Sequence, residues 1–240
     1  NAARGASRIF LEHFDPPQGS RVTVLCGRGN NGGDGTVMAR YLHGAGMRVT
    51  VLVLSDPAKI TGDARINLEV IRRLELEILE VPGPAEWAGC RDLLQRSDTL
   101  VDAILGTGLK AEVKGFYRQV IEEVNGLGKP VLAVDIPSGL SADTGQVMGA
   151  AVRADLTVTF GYPKVGQLVF PGAALVGRLT RVDIGIPMEV AARVPARHHL
   201  LEPDDFRELL KDEAGDIHKG RRGHLLILAG STGKTGAATL

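Results

Sequence analysis

The stretch Arg21 to Thr36, RVTVLCGRGNNGGDGT, decides the fold. Its first part is compact, apolar and β-branched, the composition of a buried strand. Five glycines and two asparagines then break that run, and beyond them Val37, Met38, Tyr41, Leu42 and Ala45 recur at helical steps until Gly44 and Gly46 stop the pattern. Strand, glycine loop and helix in this order open a βαβ unit, and the helix N-terminus lies where a ligand would meet the loop.

The same alternation continues in both directions. Upstream, Ala6, Ile9, Phe10 and His13 give a helix over Ala2 to Phe14 that Pro16 and Pro17 end. Downstream, strands are expected at Arg48–Leu54, Leu76–Val81, Thr99–Leu105 and Pro130–Ile136. Between them lie helices marked by Ala64, Leu68 and Ile71, by Trp87, Cys90 and Leu94, and by Phe116 to Val124 with Gly126 as cap. The strands are apolar throughout, as in a parallel sheet covered on both faces. From Asp155 the period changes to LTVTFG and GRLTRVDIG, so the sheet should finish with late strands and few helices between them. The expected fold is α/β, a Rossmann-like three-layer αβα sandwich with a mostly parallel sheet, over residues 1–195. Residues 196–203 read as a linker, and 204–240 as the incomplete start of a second domain, with a short helix capped by Asp204 and Asp205 up to Lys211 and a strand in HLLILAG.

Composition agrees with one full domain and something smaller. The 240 residues exceed a typical domain of about 150, and 44% hydrophobic residues suffice for a core. Lys and Arg number 28 against 28 Asp and Glu, with aromatics at 4%, so the electrostatic footprint of a nucleic-acid binder is missing. Cys26 and Cys90 sit in apolar surroundings and are too few for a disulfide framework or a zinc site. With no membrane-span-length apolar run and no signal-peptide pattern, a soluble, cytoplasmic protein is expected. The chain opens at Asn1 and stops at Leu240 inside an apolar run, and both ends read as cut.

Ligands of open α/β sheets bind beyond the carboxyl ends of the strands, and four loops there carry chemistry. Gly27, Gly29 and Gly32 satisfy the G-x-G-x-x-G spacing, with Asp56 after the next strand where a ribose-binding acid would sit. That supports an NAD-dependent oxidoreductase as one reading. Asp34 fits it badly, because its carboxylate would crowd the pyrophosphate. The same turn suits sugar hydroxyls or a cation, with backbone amides left over for phosphate. Asp102 lies inside an apolar strand before Gly106-Thr107-Gly108, and a lone buried carboxylate is costly. Asp135 ends another strand three residues before Ser138, and Lys164 follows the late strand beside a Gly/Pro turn as proton donor or phosphate anchor. Asn, Asp and Ser donors suit a hard cation better than zinc. Asp143-Thr144-Gly145 is a single aspartic-protease triplet in the wrong fold class, and Gly233-Lys234-Thr235 lacks the first glycine of a Walker A loop.

Taken together, NNGGDG at 30–35, VDAILGTGL at 101–109, VDIPSGLSADTG at 134–145 and TFGYPKVG at 159–166 resemble the NAD(P)H-hydrate epimerase family. Residues 218–240, HKGRRGHLLILAGSTGKTGAATL, resemble the opening of the ADP- or ATP-dependent NAD(P)H-hydrate dehydratase domain, whose fold is ribokinase-like. The resemblance implies epimerisation of R and S hydrated NADH or NADPH, small-molecule substrates with water added across the nicotinamide C5–C6 bond. It assigns substrate contacts to Asn30, Asn31, Gly32, Gly33, Asp34, Gly106, Thr107, Gly108, Leu109, Lys110, Ala111, Glu112 and Asp135. A potassium ion, K+, is implied at Asn31, Asp102 and Ser138, which must then meet in space. Asp135 with Lys164 is the expected catalytic pair. Dehydratase activity is expected of a full-length parent and not of this chain, and the resemblance leaves room for a homo-oligomer. A non-catalytic nucleotide-binding module is the remaining alternative.

Overall fold

The computed structural model describes residues 1–195, 197–207, 226–232 and 236. The chain divides into two units, Asn1–Pro195 and Ala196–Leu240. The first unit is built on a seven-stranded sheet in the order β3-β2-β1-β4-β5-β6-β7, comprising β1 (Arg21–Cys26), β2 (Arg48–Val53), β3 (Glu77–Glu80), β4 (Thr99–Ala103), β5 (Val131–Val134), β6 (Leu156–Phe160) and β7 (Arg178–Val182). Every strand pair is parallel. The chain therefore runs outward from β1 to β3, returns to the far side of β1, and runs outward again from β4 to β7. The reversal between β1 and β4 opens a crevice at their carboxyl ends, the place where such sheets bind ligands.

Strand periodicity explains the three layers. In β1, Val24 and Cys26 face one side and Leu25 the other. The first side packs on α1 (Ala2–Phe14), α2 (Asn30–Gly44) and α3 (Gly62–Arg73) through Ala6, Phe10, Met38, Leu42, Leu68 and Ile71. The second packs on α4 (Pro84–Ala88), α5 (Arg91–Arg96) and α6 (Gly115–Gly126) through Trp87, Leu94, Val120, Ile121 and Val124. The late strands are joined by α7 (Val165–Leu168) and a 3₁₀ turn at Gly172–Ala174, so they also lie parallel.

Two strands are shorter than their apolar runs. β4 stops at Ala103 and β5 at Val134, before Leu105 and Ile136. In β4 the Asp102 carboxylate takes the Ile104 amide hydrogen bond itself. In β5 Asp135 adopts φ 67° and turns the chain out of the sheet. The acids that end these strands also aim the loops.

In the second unit the expected helix from Asp204 begins as a 3₁₀ turn over Pro203–Phe206, with the Asp205 carboxylate accepting from the Glu202 amide. The rest of that helix, through Lys211, lies outside the described residues. Of HLLILAG, residues 226–230 are described and carry no strand hydrogen bonding among the described residues, and Leu226, Ile227 and Leu228 are exposed. Among the described residues no helix is long and apolar enough to cross a membrane.

Candidate active site

The asparagine-glycine motif, expected as a turn, is the first two turns of α2, which starts at Asn30 with Gly29 as its N-cap. The reason is steric. A Cβ on Gly32 would run into the Gly27 carbonyl oxygen, and one on Gly35 would come within 2.5 Å of Ala103 Cβ and 2.9 Å of Cys26 Sγ. Glycine at these positions lets the helix descend onto the ends of β1 and β4. The first intrahelical bond recorded at this end is Gly33 N–H to Gly29 O, 3.1 Å, so the Asn30, Asn31 and Gly32 amides are left for a ligand, at the positive end of the helix dipole.

Beside this helix end, the three proposed ion ligands meet. Asp102 is fully buried. Its Oδ2 accepts from Ser138 N–H at 2.8 Å, and its Oδ1 accepts from Ile104 N–H at 3.2 Å and Ser138 Oγ–H at 2.5 Å. Ser138 Oγ accepts from Leu105 N–H at 2.8 Å, and Asn31 donates its side-chain amide to Leu105 O at 3.1 Å. One node thus ties the loops after β1, β4 and β5 together. No basic side chain pairs with Asp102 among the described residues, and burial pushes its carboxyl up to about 6, against the lowering effect of these hydrogen bonds.

A second cluster surrounds Asp135. Its Oδ1 accepts from Lys164 Nζ at 2.5 Å, from Phe160 N–H at 3.2 Å and from Thr159 Oγ at 3.3 Å. Its Oδ2 takes no hydrogen bond among the described residues. The Lys164 ammonium also donates to Thr159 Oγ at 2.8 Å and to Phe160 O at 3.1 Å. With its three donors so engaged, the lysine is an ion-pair partner of Asp135, and the phosphate-anchor alternative has no spare donor. Gln167, which the sequence reading missed, is buried and bridges the pair: its Nε2 donates to Asp135 O at 2.6 Å and its Oε1 accepts from Lys164 N–H at 2.8 Å. The signal was present in the three-residue spacing from Lys164 and in a polar residue surrounded by glycine and leucine.

Asp34 lies one turn into α2, half-buried; burial first, then the neighbouring Asp135 charge, push its carboxyl up to about 6. The loop over 106–112 meets this site at one end only. Gly106 packs against Asn31, whereas Thr107, Gly108, Lys110, Ala111 and Glu112 are exposed and Leu109 leans on the core. Glu112 pairs with Lys114 at 3.0 Å. Asn30 is exposed and has no recorded side-chain contact with the two clusters. Asp56, the ribose acid of the oxidoreductase reading, accepts from Ala58 N–H at 2.9 Å and caps the turn after β2. A cleft of about 240 Å³ lined by Arg21, Arg48 and Arg96 opens at the amino ends of β1 and β2 and contains none of these residues.

Residues 1–166 match the family described as the YjeF-related protein N-terminus. The chain belongs to this family. Among YjeF-related relatives, the bifunctional NAD(P)H-hydrate repair enzyme Nnr of Moorella thermoacetica is 43% identical over all of this chain and 46% of its own length. That of Thermofilum pendens is 40% identical over 44% of its length. The chain spans about half the length of these two curated relatives. The NAD(P)H-hydrate epimerase of Limosilactobacillus fermentum is 39% identical over 72% of this chain and 78% of its own. The crystal structure of yeast YNL200c shares the fold, with a TM-score of 0.67, 23% identity and 80% of each chain covered.

Proposed function

We propose that this chain interconverts the R and S forms of hydrated NADH and NADPH at C6. The observation that carries the reading is the Asp135–Lys164 pair, placed with an open helix N-terminus on the ligand side of the sheet, in a chain whose relatives bear the epimerase name. C6 of the hydrate bears both the ring nitrogen and a hydroxyl, so the nitrogen lone pair can expel the hydroxyl as water once it is protonated. The product of that step is an iminium ion that water can re-enter from either face. Catalysis then needs proton transfer and a negative charge beside the cation. Asp135 supplies both through its open Oδ2, while Lys164, Thr159 and Phe160 N–H hold Oδ1 and fix the carboxylate. The amides of Asn30 to Gly32 are the phosphate subsite in this reading.

A potassium ion fits the Asn31–Asp102–Ser138 node. The donors are oxygens, and the one carboxylate is fully buried without a cationic partner among the described residues. Asn31, Asp102, Ser138 and the Leu105 carbonyl would hold the ion, which would supply the missing positive charge and brace three ligand-bearing loops. The deciding experiment adds the protein to each pure hydrate epimer and follows equilibration on a chiral column. Equilibration well above the uncatalysed rate is expected, and its absence under conditions where nucleotide binds sinks the reading. A hydride-transfer assay should show no turnover, since Asp56 is a turn cap.

A further inference from the structure

The end of the sheet away from the epimerase site holds a cleft of its own. It has a volume of about 240 Å³ and opens at the amino ends of β1 and β2, so the length of β1, about 17 Å, separates it from the start of α2. The strand register builds it. Arg21 lies opposite Arg48, Thr23 opposite Thr50, and Glu77 of β3 opposite Thr50 again. All of these residues share the alternation of Leu25 and Leu52, which puts them on the face that α4 to α6 cover. Arg96 at the end of α5 and Ser97 after it close the cleft from that side.

The floor and the mouth differ in how they are satisfied. Thr23, Thr50 and Ser97 are buried and bonded from within. Ser97 Oγ donates to Leu93 O at 3.0 Å, so in its 2.7 Å contact with Thr23 Oγ the threonine is the donor, and Thr50 Oγ donates to the Glu77 carboxylate at 2.5 Å. The three guanidiniums at the mouth are exposed and hardly used. Arg96 donates from Nε to Asp92 O at 3.1 Å. The Arg21 and Arg48 side chains make no hydrogen bond, and none of the three arginines is ion-paired, among the described residues. Asp98 is turned to the Arg21 main chain, whose amide its Oδ2 accepts at 2.8 Å. Glu77 is the one carboxylate in the lining. Like charges in register on adjacent strands repel, and a concave wall focuses their field on whatever enters.

We propose that this cleft binds a diphosphate group, at a site separate from the nucleotide crevice. Guanidinium forks match phosphate oxygens two at a time, and three of them against one carboxylate favour a multiply charged anion. Size narrows the class further. A cavity of about 150 Å³ holds a six-carbon ring, and by proportion this one takes about nine or ten heavy atoms, which suits pyrophosphate and excludes an enclosed dinucleotide. The proposal goes beyond the epimerase reading and does not depend on it.

The test is calorimetric titration of the 240-residue chain with pyrophosphate, with inorganic phosphate and with ADP at low ionic strength. Pyrophosphate should bind with Kd below about 1 mM, more weakly as chloride rises, and at least about tenfold more tightly than phosphate. Arg48→Gln and Arg96→Gln should each weaken it at least about tenfold, while Arg118→Gln, whose arginine is paired with Glu122 on α6, should not. Urea midpoints check that the variants fold, and Arg21→Gln replaces either one that does not. ADP that binds and loses affinity in the same two variants makes a nucleoside diphosphate the source of the group; ADP indifferent to them makes free diphosphate the ligand. The proposal is overturned if pyrophosphate at millimolar concentration gives no binding, if either cleft variant loses less than about tenfold, if Arg118→Gln loses as much, or if phosphate binds as tightly.

Discussion

Asp102 ties three loops together at the cost of a carboxylate sealed from water. Burial lifts its carboxyl to about 6 in the fold, against roughly 3.9 when unfolded. The folded state therefore binds the extra proton between these values, so Asp102's contribution to stability is greatest below pH of about 4 and is lost as pH rises through about 6. Two pKa units correspond to roughly 3 kcal/mol at neutral pH. In choline chloride, the parent should lose on the order of that much unfolding free energy over this range relative to Asp102→Ala, measured by urea denaturation. A cation at the node offsets the same cost. Potassium in place of choline at equal ionic strength should raise the unfolding free energy at pH 7.5 by about 1.4 kcal/mol at tenfold excess over Kd, and by less at pH 5, where the carboxyl is protonated. Equal shifts at both pH values would place the ion elsewhere. Lys164 offers a separate test. Lys164→Met removes the strongest partner of Asp135 Oδ1, so kcat should drop by about 100-fold or more with nucleotide binding little changed. A loss confined to KM would mean that the lysine holds substrate instead.

At the scale of elements, α2 meets the sheet more closely than side chains allow, and glycine is the reason. Gly35→Ala places a methyl against Ala103 Cβ and Cys26 Sγ, and overpacking of this kind costs about 1–3 kcal/mol. Gly44→Ala, in the last turn of the same helix with nothing within 4 Å of the added carbon, should be neutral or stabilising by up to about 1 kcal/mol. Urea midpoints of the pair check the contrast, and equal effects would show that helix propensity outweighs packing here. The sequence reading found this strand, loop and helix because apolar spacing and glycine clustering are local signals. It placed the helix start too late, since Asn30 to Asp34 look like loop residues until the close approach of β1 and β4 is known. The ends of β4 and β5 were misplaced for a related reason: Asp102 and Asp135 take over backbone bonding through partners 36 and 25 residues away, Ser138 and Phe160.

At the scale of the whole molecule, the order of apolar strands announced a parallel α/β sheet, and only the crossover could say that β1 and β4 would be neighbours. Motif order, read through a family resemblance, singled out Asn31, Asp102 and Ser138 as expected ion ligands, and the hydrogen-bond network through Leu105 links them in space. Gln167 and the use of all three Lys164 donors were not legible, because they depend on how α7 docks beside β6. The second unit carried less signal: Leu226 to Leu228, read as a strand from their hydrophobicity, carry no strand hydrogen bonding among the described residues. Every residue assigned here to substrate, ion or proton transfer lies within Asn1–Pro195, the unit that holds the complete seven-stranded sheet and both core layers. If those layers suffice to hold the loops, a protein ending at Pro195 should fold cooperatively and interconvert the hydrate epimers with kcat/KM within about threefold of the 240-residue chain. A cooperatively folded 1–195 protein that binds nucleotide and does not epimerise would show that residues beyond Pro195 take part in the reaction, and the site would have to be redrawn to include them.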